Sequence, residues 1–105
     1  MDPNEETMML DRKCRGIVDK NPNMLIPWFL MACYAYDVLD TPILTDGYFD
    51  HLGHLIQLKW STLTHRHKEL ILNMGEIWKP SCINVAMGDL PTILKDTTRH
   101  LVTLL

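Results

Sequence analysis

Residues 24–52 read MLIPWFLMACYAYDVLDTPILTDGYFDHL, and the reading of this stretch decides the fold. Its first part, MLIPWFLMACYAY, is the most apolar run in the chain. It is shorter than the roughly 20 residues that a membrane span needs. It reads instead as a helix buried on nearly all sides, from about Pro27 to Leu39, at the centre of a helical bundle. Pro27 is either its first residue or a kink inside a slightly longer helix. DTPIL, residues 40–44, breaks the helix, because the residue before a proline avoids the α region. Thr45 then offers a hydroxyl to cap the free amides of a third helix, and Asp46 suits the positive end of its dipole. Phe49, Leu52, Leu55 and Ile56 recur at helical spacing and form the inner stripe of that helix.

On the N-terminal side, Asp2 is a good N-cap, Pro3 suits the first helical position, and Glu5 sits in the first turn. Leu10, Cys14, Ile17 and Val18 fall on one face of this first helix, which ends in KNPN, residues 20–23. On the C-terminal side a fourth helix is expected over Thr62 to Lys79. Leu63, Leu70, Ile71, Met74, Ile77 and Trp78 form its apolar side, and Pro80 stops it. Residues 80–88, PSCINVAMG, suit a short helix or a buried loop. A last helix is expected after Asp89 as cap, with Leu90, Ile93, Leu94, Thr97, Leu101 and Leu104 keeping the period and Lys95, Asp96, Arg99 and His100 facing water. The pattern predicts an all-α, single-domain bundle of about four to five helices over residues 1–105.

Composition narrows the chemistry. The chain has 105 residues, 47% of them apolar, enough for one core without metals or disulfides. Its formal charge is −3, and no basic stripe is visible, which disfavours direct nucleic-acid binding through the phosphates. The acidic start MDPNEETMML lacks the basic region of a secretory signal. The three cysteines, Cys14, Cys33 and Cys82, are widely spaced, without a C-x-x-C. That fits reduced thiols and a cytoplasmic location, with Cys14 and Cys33 as small buried hydrophobes.

No catalytic residue emerges from the motifs. Asp50-His51-x-x-His54 and His65-Arg66-His67 lack a fourth ligand and read as solvated or capping groups rather than a metal site. Cys82 has no local base or orienting acid, and no glycine-rich phosphate loop exists. Trp28 and Trp78 read as core, while Trp60, at a helix junction, is a candidate interface anchor.

Asp46 and Asp50 stand four residues apart on one helix face, with Phe49 beside them. Tyr36 and Asp37 come late in the preceding helix, which must fold back across a short loop. The two helices can therefore gather two rings and three carboxylates, those of Asp37, Asp46 and Asp50, at one mouth. Carboxylates accept hydrogen bonds from ribose hydroxyls or an amide, and rings stack on a flat heterocycle, so a nucleoside-like ligand would suit it. The plainer alternative is that Asp46 serves the helix start, Asp50 is solvated and Phe49 is core.

The stretch YDVLDTPILTDGYFDHL, residues 36–52, resembles the signature Y-[HY]-V-x-D-x-P-x-[IV]-x-D-x-x-Y-D-x-L of bacterial NAD-dependent DNA ligases. That signature lies in their small N-terminal helical subdomain, called Ia, which closes over the nicotinamide mononucleotide (NMN) half of NAD. Tyr36, Val38, Asp40, Pro42, Asp46, Asp50 and Leu52 match it. The resemblance implies an Ia-like helical hairpin in which Tyr36 stacks on the nicotinamide ring while Asp46 and Asp50 hold the amide or ribose. On the ligand face two positions depart: Asp37 stands where the family has His or Tyr, and Phe49 where it has Tyr, so a hydroxyl is lost. The ligase lysine motif K-x-D-G is absent, since Ile43-Leu44-Thr45 precede Asp46-Gly47. The expectation is accordingly no enzyme. It is a small binding or regulatory protein with an Ia-like fold, phage-type and linked to nucleic-acid metabolism, that engages a protein partner. The alternative is an NMN- or NAD-binding module, or a detached ligase subunit working with a separate nucleotidyltransferase chain.

Overall fold

The computed structural model of the chain describes residues 5–72 and 82–105. Four α-helices are present among them: α1 (Glu5–Lys20), α2 (Leu25–Asp37), α3 (Asp46–Lys59) and α4 (Thr92–Thr103). No strand is present among the described residues; Ile71 and Val85 form one isolated antiparallel bridge. The fold is thus a small all-α bundle. Its radius of gyration of 12.7 Å matches the ~13 Å of a folded chain of about this length.

α2 is the central element and packs against both α3 and α4. Every residue from Leu25 to Ala35 is buried. A helix that is apolar all round can satisfy its side chains only in this position. It begins two residues before Pro27, because a single 3₁₀ turn, Pro22–Met24, capped by the Asn21 side chain, feeds directly into it. Pro27 therefore falls in the first turn, where its missing N–H has no intrahelical partner to lose. Thr7, Leu10, Cys14 and Val18 are the buried stripe of α1, with Ile17 half-buried beside them. The predicted start at Asp2 lies outside the described residues.

α2 stops at Asp37, earlier than predicted, and the chain turns by left-handed backbone at Asp40, whose φ is 53°. The Thr41 N–H reaches back to the Ala35 carbonyl at 2.9 Å, and the Val38 N–H to that of Tyr34 at 2.9 Å. The helix thus ends on a residue in the left-handed conformation, with aspartate where glycine is commonest. Ile43 and Leu44, read from sequence only as part of a break, are both buried and anchor the connection to the core.

Thr45 caps α3 as expected: its Oγ1 accepts from the Tyr48 N–H at 3.3 Å. Asp11 on α1 completes the cap. It accepts from the Thr45 N–H at 3.0 Å and from the Thr45 hydroxyl at 2.7 Å. The inner stripe of α3 is Tyr48, Leu52, Gly53 and Ile56. The predicted stripe is rotated by one position at its start, where Tyr48 is buried and Phe49 only half-buried.

The fourth predicted helix is not formed over residues 62–72. Two 3₁₀ turns, Trp60–Thr62 and Lys68–Leu70, flank an irregular segment, and the rest of the predicted span, residues 73–79, lies outside the described residues along with Trp78. Side chains take the backbone groups that a helix would have used. Asn23 accepts from the Thr64 N–H at 2.9 Å and donates to the Thr64 hydroxyl at 3.2 Å. The Lys68 ammonium donates to the carbonyls of Trp60 at 2.6 Å and Leu63 at 2.9 Å. It also lies 4.4 Å from the centre of the Trp60 ring, so Trp60 is half-buried under a lysine and is no free anchor. Thr62, Thr64, His65 and His67 all have modest helix propensity, and these long-range bonds outweigh it.

Residues 82–89 form two more 3₁₀ turns, Cys82–Asn84 and Met87–Asp89. α4 begins at Thr92, after Pro91, so Asp89 closes a turn and does not cap the helix. Its buried face is Leu94, Thr98 and Leu101; Thr98 satisfies its hydroxyl on the Leu94 carbonyl at 2.7 Å. Ile93 and Leu104, placed by periodicity with the apolar set, are 61% and 55% exposed. Arg99 is exposed, as expected, and also donates to the Tyr34 hydroxyl at 2.7 Å, which ties α4 to α2.

Candidate functional site

The end of α2, the turn after it and the first turns of α3 enclose a cavity of about 540 Å³. Tyr36, Asp37, Asp46, Phe49 and Asp50, the residues singled out from the sequence, all line it. Tyr36 and Asp37 come from α2, and Asp46, Phe49 and Asp50 from α3. The left-handed turn at Asp40 folds α3 back against α2, and the Asp11–Thr45–Tyr48 relay fixes where α3 begins. Local capping chemistry therefore positions the cavity wall.

The lining falls into three parts. Phe49 stacks on Phe29 of α2, with ring centres 5.0 Å apart and planes 9° from parallel, which holds the Phe49 ring in one orientation. Tyr36 lines the cavity and is 58% exposed, so it stands at the rim. Asp37, Asp46 and Asp50 are exposed, and among the described lining residues there is no lysine, arginine or histidine. The site thus offers one fixed ring, one free ring and three carboxylates over an apolar floor that includes Ala32, Ile43 and Leu44. A volume of about 540 Å³ is within the range of small-molecule sites, roughly 300–1,000 Å³. The carboxylates disfavour a phosphate inside it and favour a neutral or cationic flat group.

Sequence reading missed the floor and Cys82. Ile43 and Leu44 could have been suspected as two consecutive apolar residues inside a turn. Cys82 carries no such signal, because only the tertiary fold brings the turn Cys82–Asn84 against α2.

A second, smaller cavity of about 320 Å³ lies at the start of α3, lined by Asp11, Arg15, Thr45, Gly47, Tyr48 and His51. Arg15 lies 5.4 Å from the centre of the Tyr48 ring, and the His51 ring 5.9 Å from it. Burial pushes the Tyr48 phenol up from its ordinary range, assisted by Cys14 and opposed by Arg15. Burial likewise pushes the Cys14 thiol up to about 12, so it stays protonated. The neighbouring α3 histidine His54 is exposed. Among the described residues no group of three or more His, Cys, Asp or Glu is placed to hold a metal ion.

His65 and His67 face each other with ring centres 5.0 Å apart. His65 Nδ1 accepts from the His67 N–H at 3.1 Å. Burial, then the charges of His67 and Arg66, lower the His65 pKa, which keeps the ring neutral and its Nδ1 free to accept. The pair is a turn-forming device.

No protein-family model, no curated protein and no solved structure matches this chain. The likeness to the ligase signature therefore stands on residues 36–52 alone. No helix among the described residues is long and apolar enough to cross a membrane.

Proposed function

We propose that this chain is a non-enzymatic binding protein whose recognition site is the cavity between α2 and α3. One observation carries the reading: five residues separated in sequence, Tyr36, Asp37, Asp46, Phe49 and Asp50, line a single ligand-sized cavity. The first form of the proposal is a small regulator, phage-type and linked to nucleic-acid metabolism, that engages a protein partner. Tyr36 at the rim and Val38, exposed two residues further on, supply an aromatic and an aliphatic contact for it.

A second form is favoured by the chemistry of the lining. NMN or NAD presents a flat pyridinium, a cation that suits rings and carboxylates, and a ribose whose hydroxyls the carboxylates accept from. The phosphates would stay outside, away from Asp37, Asp46 and Asp50. This is the mode implied by the Ia resemblance, and it would serve a module working beside a separate nucleotidyltransferase chain. Asp37 and Phe49, the two departures from the signature, both line the cavity. A ligand held there meets an extra carboxylate and lacks one hydroxyl, worth about 0.5–1.5 kcal/mol per lost hydrogen bond.

Calorimetric titration with NMN and NAD separates the two forms. Saturable micromolar binding, lost in both Tyr36→Ala and Asp50→Ala, is the result expected for the nucleotide form. Absence of heat into the millimolar range removes that form and leaves the partner form. The partner form is in turn overturned if Tyr36→Ala and Val38→Ala bind the captured partner as tightly as the parent chain does.

A further inference from the structure

From residue 36 to residue 50 the chain carries four aspartates and no lysine, arginine or histidine. Three of them, Asp37, Asp46 and Asp50, line the cavity between α2 and α3 and are exposed. Among the described residues no hydrogen bond or ion pair engages their carboxylates. The neighbouring cations are placed elsewhere. Arg15 and His51 line the smaller cavity beside Tyr48, and Arg99 holds Asp96 and the Tyr34 hydroxyl. Like charges gathered at one mouth repel one another, and a cation entering between them relieves that repulsion. The cavity therefore has an electrostatic preference as well as a shape.

We propose that the cavity takes an arginine side chain of a protein partner, its guanidinium lying on the Phe49 ring and donating to Asp46 and Asp50. This rests on the reading of the cavity as the recognition site, and it names the chemistry of the partner. Three features of the lining select arginine. The first is the match of donors to acceptors. Each carboxylate has two oxygens that only accept, and a guanidinium carries five N–H donors and no acceptor. Asp46 and Asp50 stand one helical turn apart, about 5–6 Å between Cβ atoms, so a planar fork can reach both. Asp37 on α2 offers a further acceptor. The second is the fixed ring. Phe29 covers one face of Phe49 with ring centres 5.0 Å apart, and Phe49 also lines the cavity, so a flat cation finds a ring already held in place. Tyr36, exposed at the rim, supplies a second ring from α2. The third is the floor of Ala32, Ile43 and Leu44, which suits the methylene stem behind the charged head. A lysine ammonium is compact and strongly hydrated, and it cannot stack or fork in this way. A nicotinamide ring would stack, but its single amide leaves most of the carboxylate oxygens unmatched.

The test is NMR titration of the full chain, labelled with nitrogen-15, with a blocked pentapeptide, acetyl-Gly-Gly-Arg-Gly-Gly-amide. The matched controls replace arginine by lysine or by citrulline, which keeps the shape and loses the charge. The arginine peptide should shift the amides of Tyr36, Asp37, Asp46, Phe49 and Asp50 saturably, with a dissociation constant in the millimolar range, and leave those of α4 unmoved. The citrulline peptide should bind about tenfold more weakly, and the lysine peptide about threefold. Asp46→Asn and Asp50→Asn alter exposed side chains and should each weaken the arginine peptide about threefold, while unchanged α4 amides show that the fold is kept. Raising the salt should weaken binding further. Equal affinity for arginine and citrulline, equal affinity in the asparagine variants, or shifts confined to the smaller cavity would each overturn the proposal. If the arginine peptide leaves the cavity amides unmoved while NMN or the citrulline peptide shifts them, the arginine assignment falls and the cavity remains a recognition site. If none of the probes moves them, both readings fall.

Discussion

Asp11 offers the sharpest test of how the cavity is positioned. Its carboxylate holds the start of α3 by two hydrogen bonds from Thr45, at 3.0 Å to the amide and 2.7 Å to the hydroxyl. Hydrogen bonds to a charged group contribute about 1.5–3 kcal/mol each when well shielded. These two are part-buried, so water competes, and the lower end of that range or slightly less applies to each. Asp11→Ala should therefore lower stability by about 2–3 kcal/mol, partly through the stranded Thr45 N–H. Unfolding entropy of about 2.1 cal/mol/K per residue gives about 0.2 kcal/mol/K for 105 residues, so the melting temperature should fall by roughly 10 °C. Asp11→Asn keeps one acceptor and should lose about half as much. A double-mutant cycle with Thr45→Val isolates the hydroxyl bond and should return a coupling near 1 kcal/mol. Urea unfolding followed by tryptophan emission supplies the free energies, with an unchanged slope showing that the unfolded state is not altered. Because Asp46, Phe49 and Asp50 lie in the first turns of α3, the same change should also weaken whatever the cavity binds. A loss below about 0.5 kcal/mol for Asp11→Ala, with no coupling to Thr45, would refute the view that this relay sets the start of α3.

Two further outcomes follow from local chemistry. The left-handed Asp40 should accept glycine within about 0.5 kcal/mol, whereas Asp40→Val should cost about 1–2 kcal/mol from the clash of a β-branched residue at positive φ. Equal stabilities in denaturant for the two variants would contradict the turn geometry. His65 has a lowered pKa, so its neutral form belongs to the folded state, and its contribution is present above the ordinary value of 6.5 and lost as pH falls through the folded value. Acid protonates Nδ1, breaks its bond to the His67 N–H, and should loosen the turn; NMR titration of the His65 ring with amide exchange at His67 reads it, and a His67 protection factor that stays constant below pH 6.5 counts against it.

The sequence alone determined the two central helices and the turn between them. The unbroken apolar run ending near Tyr36 could be satisfied only at the centre of a bundle, Thr45 announced the next helix by its hydroxyl, and the spacing of Asp46, Phe49 and Asp50 placed them on neighbouring positions of one helix. Those are local rules, set by backbone sterics, capping and the helical period, and they hold whatever the rest of the chain does. Tertiary structure decided what local rules leave degenerate. Periodicity could not tell that Tyr48 turns inward and Phe49 lies flat on Phe29, because the two differ by one step around the helix and only the neighbouring helix distinguishes them. It could not tell that residues 62–72 are not helical, because Asn23, 41 residues away, holds Thr64 and the Lys68 side chain turns back onto the carbonyls of Trp60 and Leu63. Nor could it place Asp11 on Thr45 or Cys82 at the cavity wall, since contacts between residues far apart in sequence exist only once the core has closed around α2.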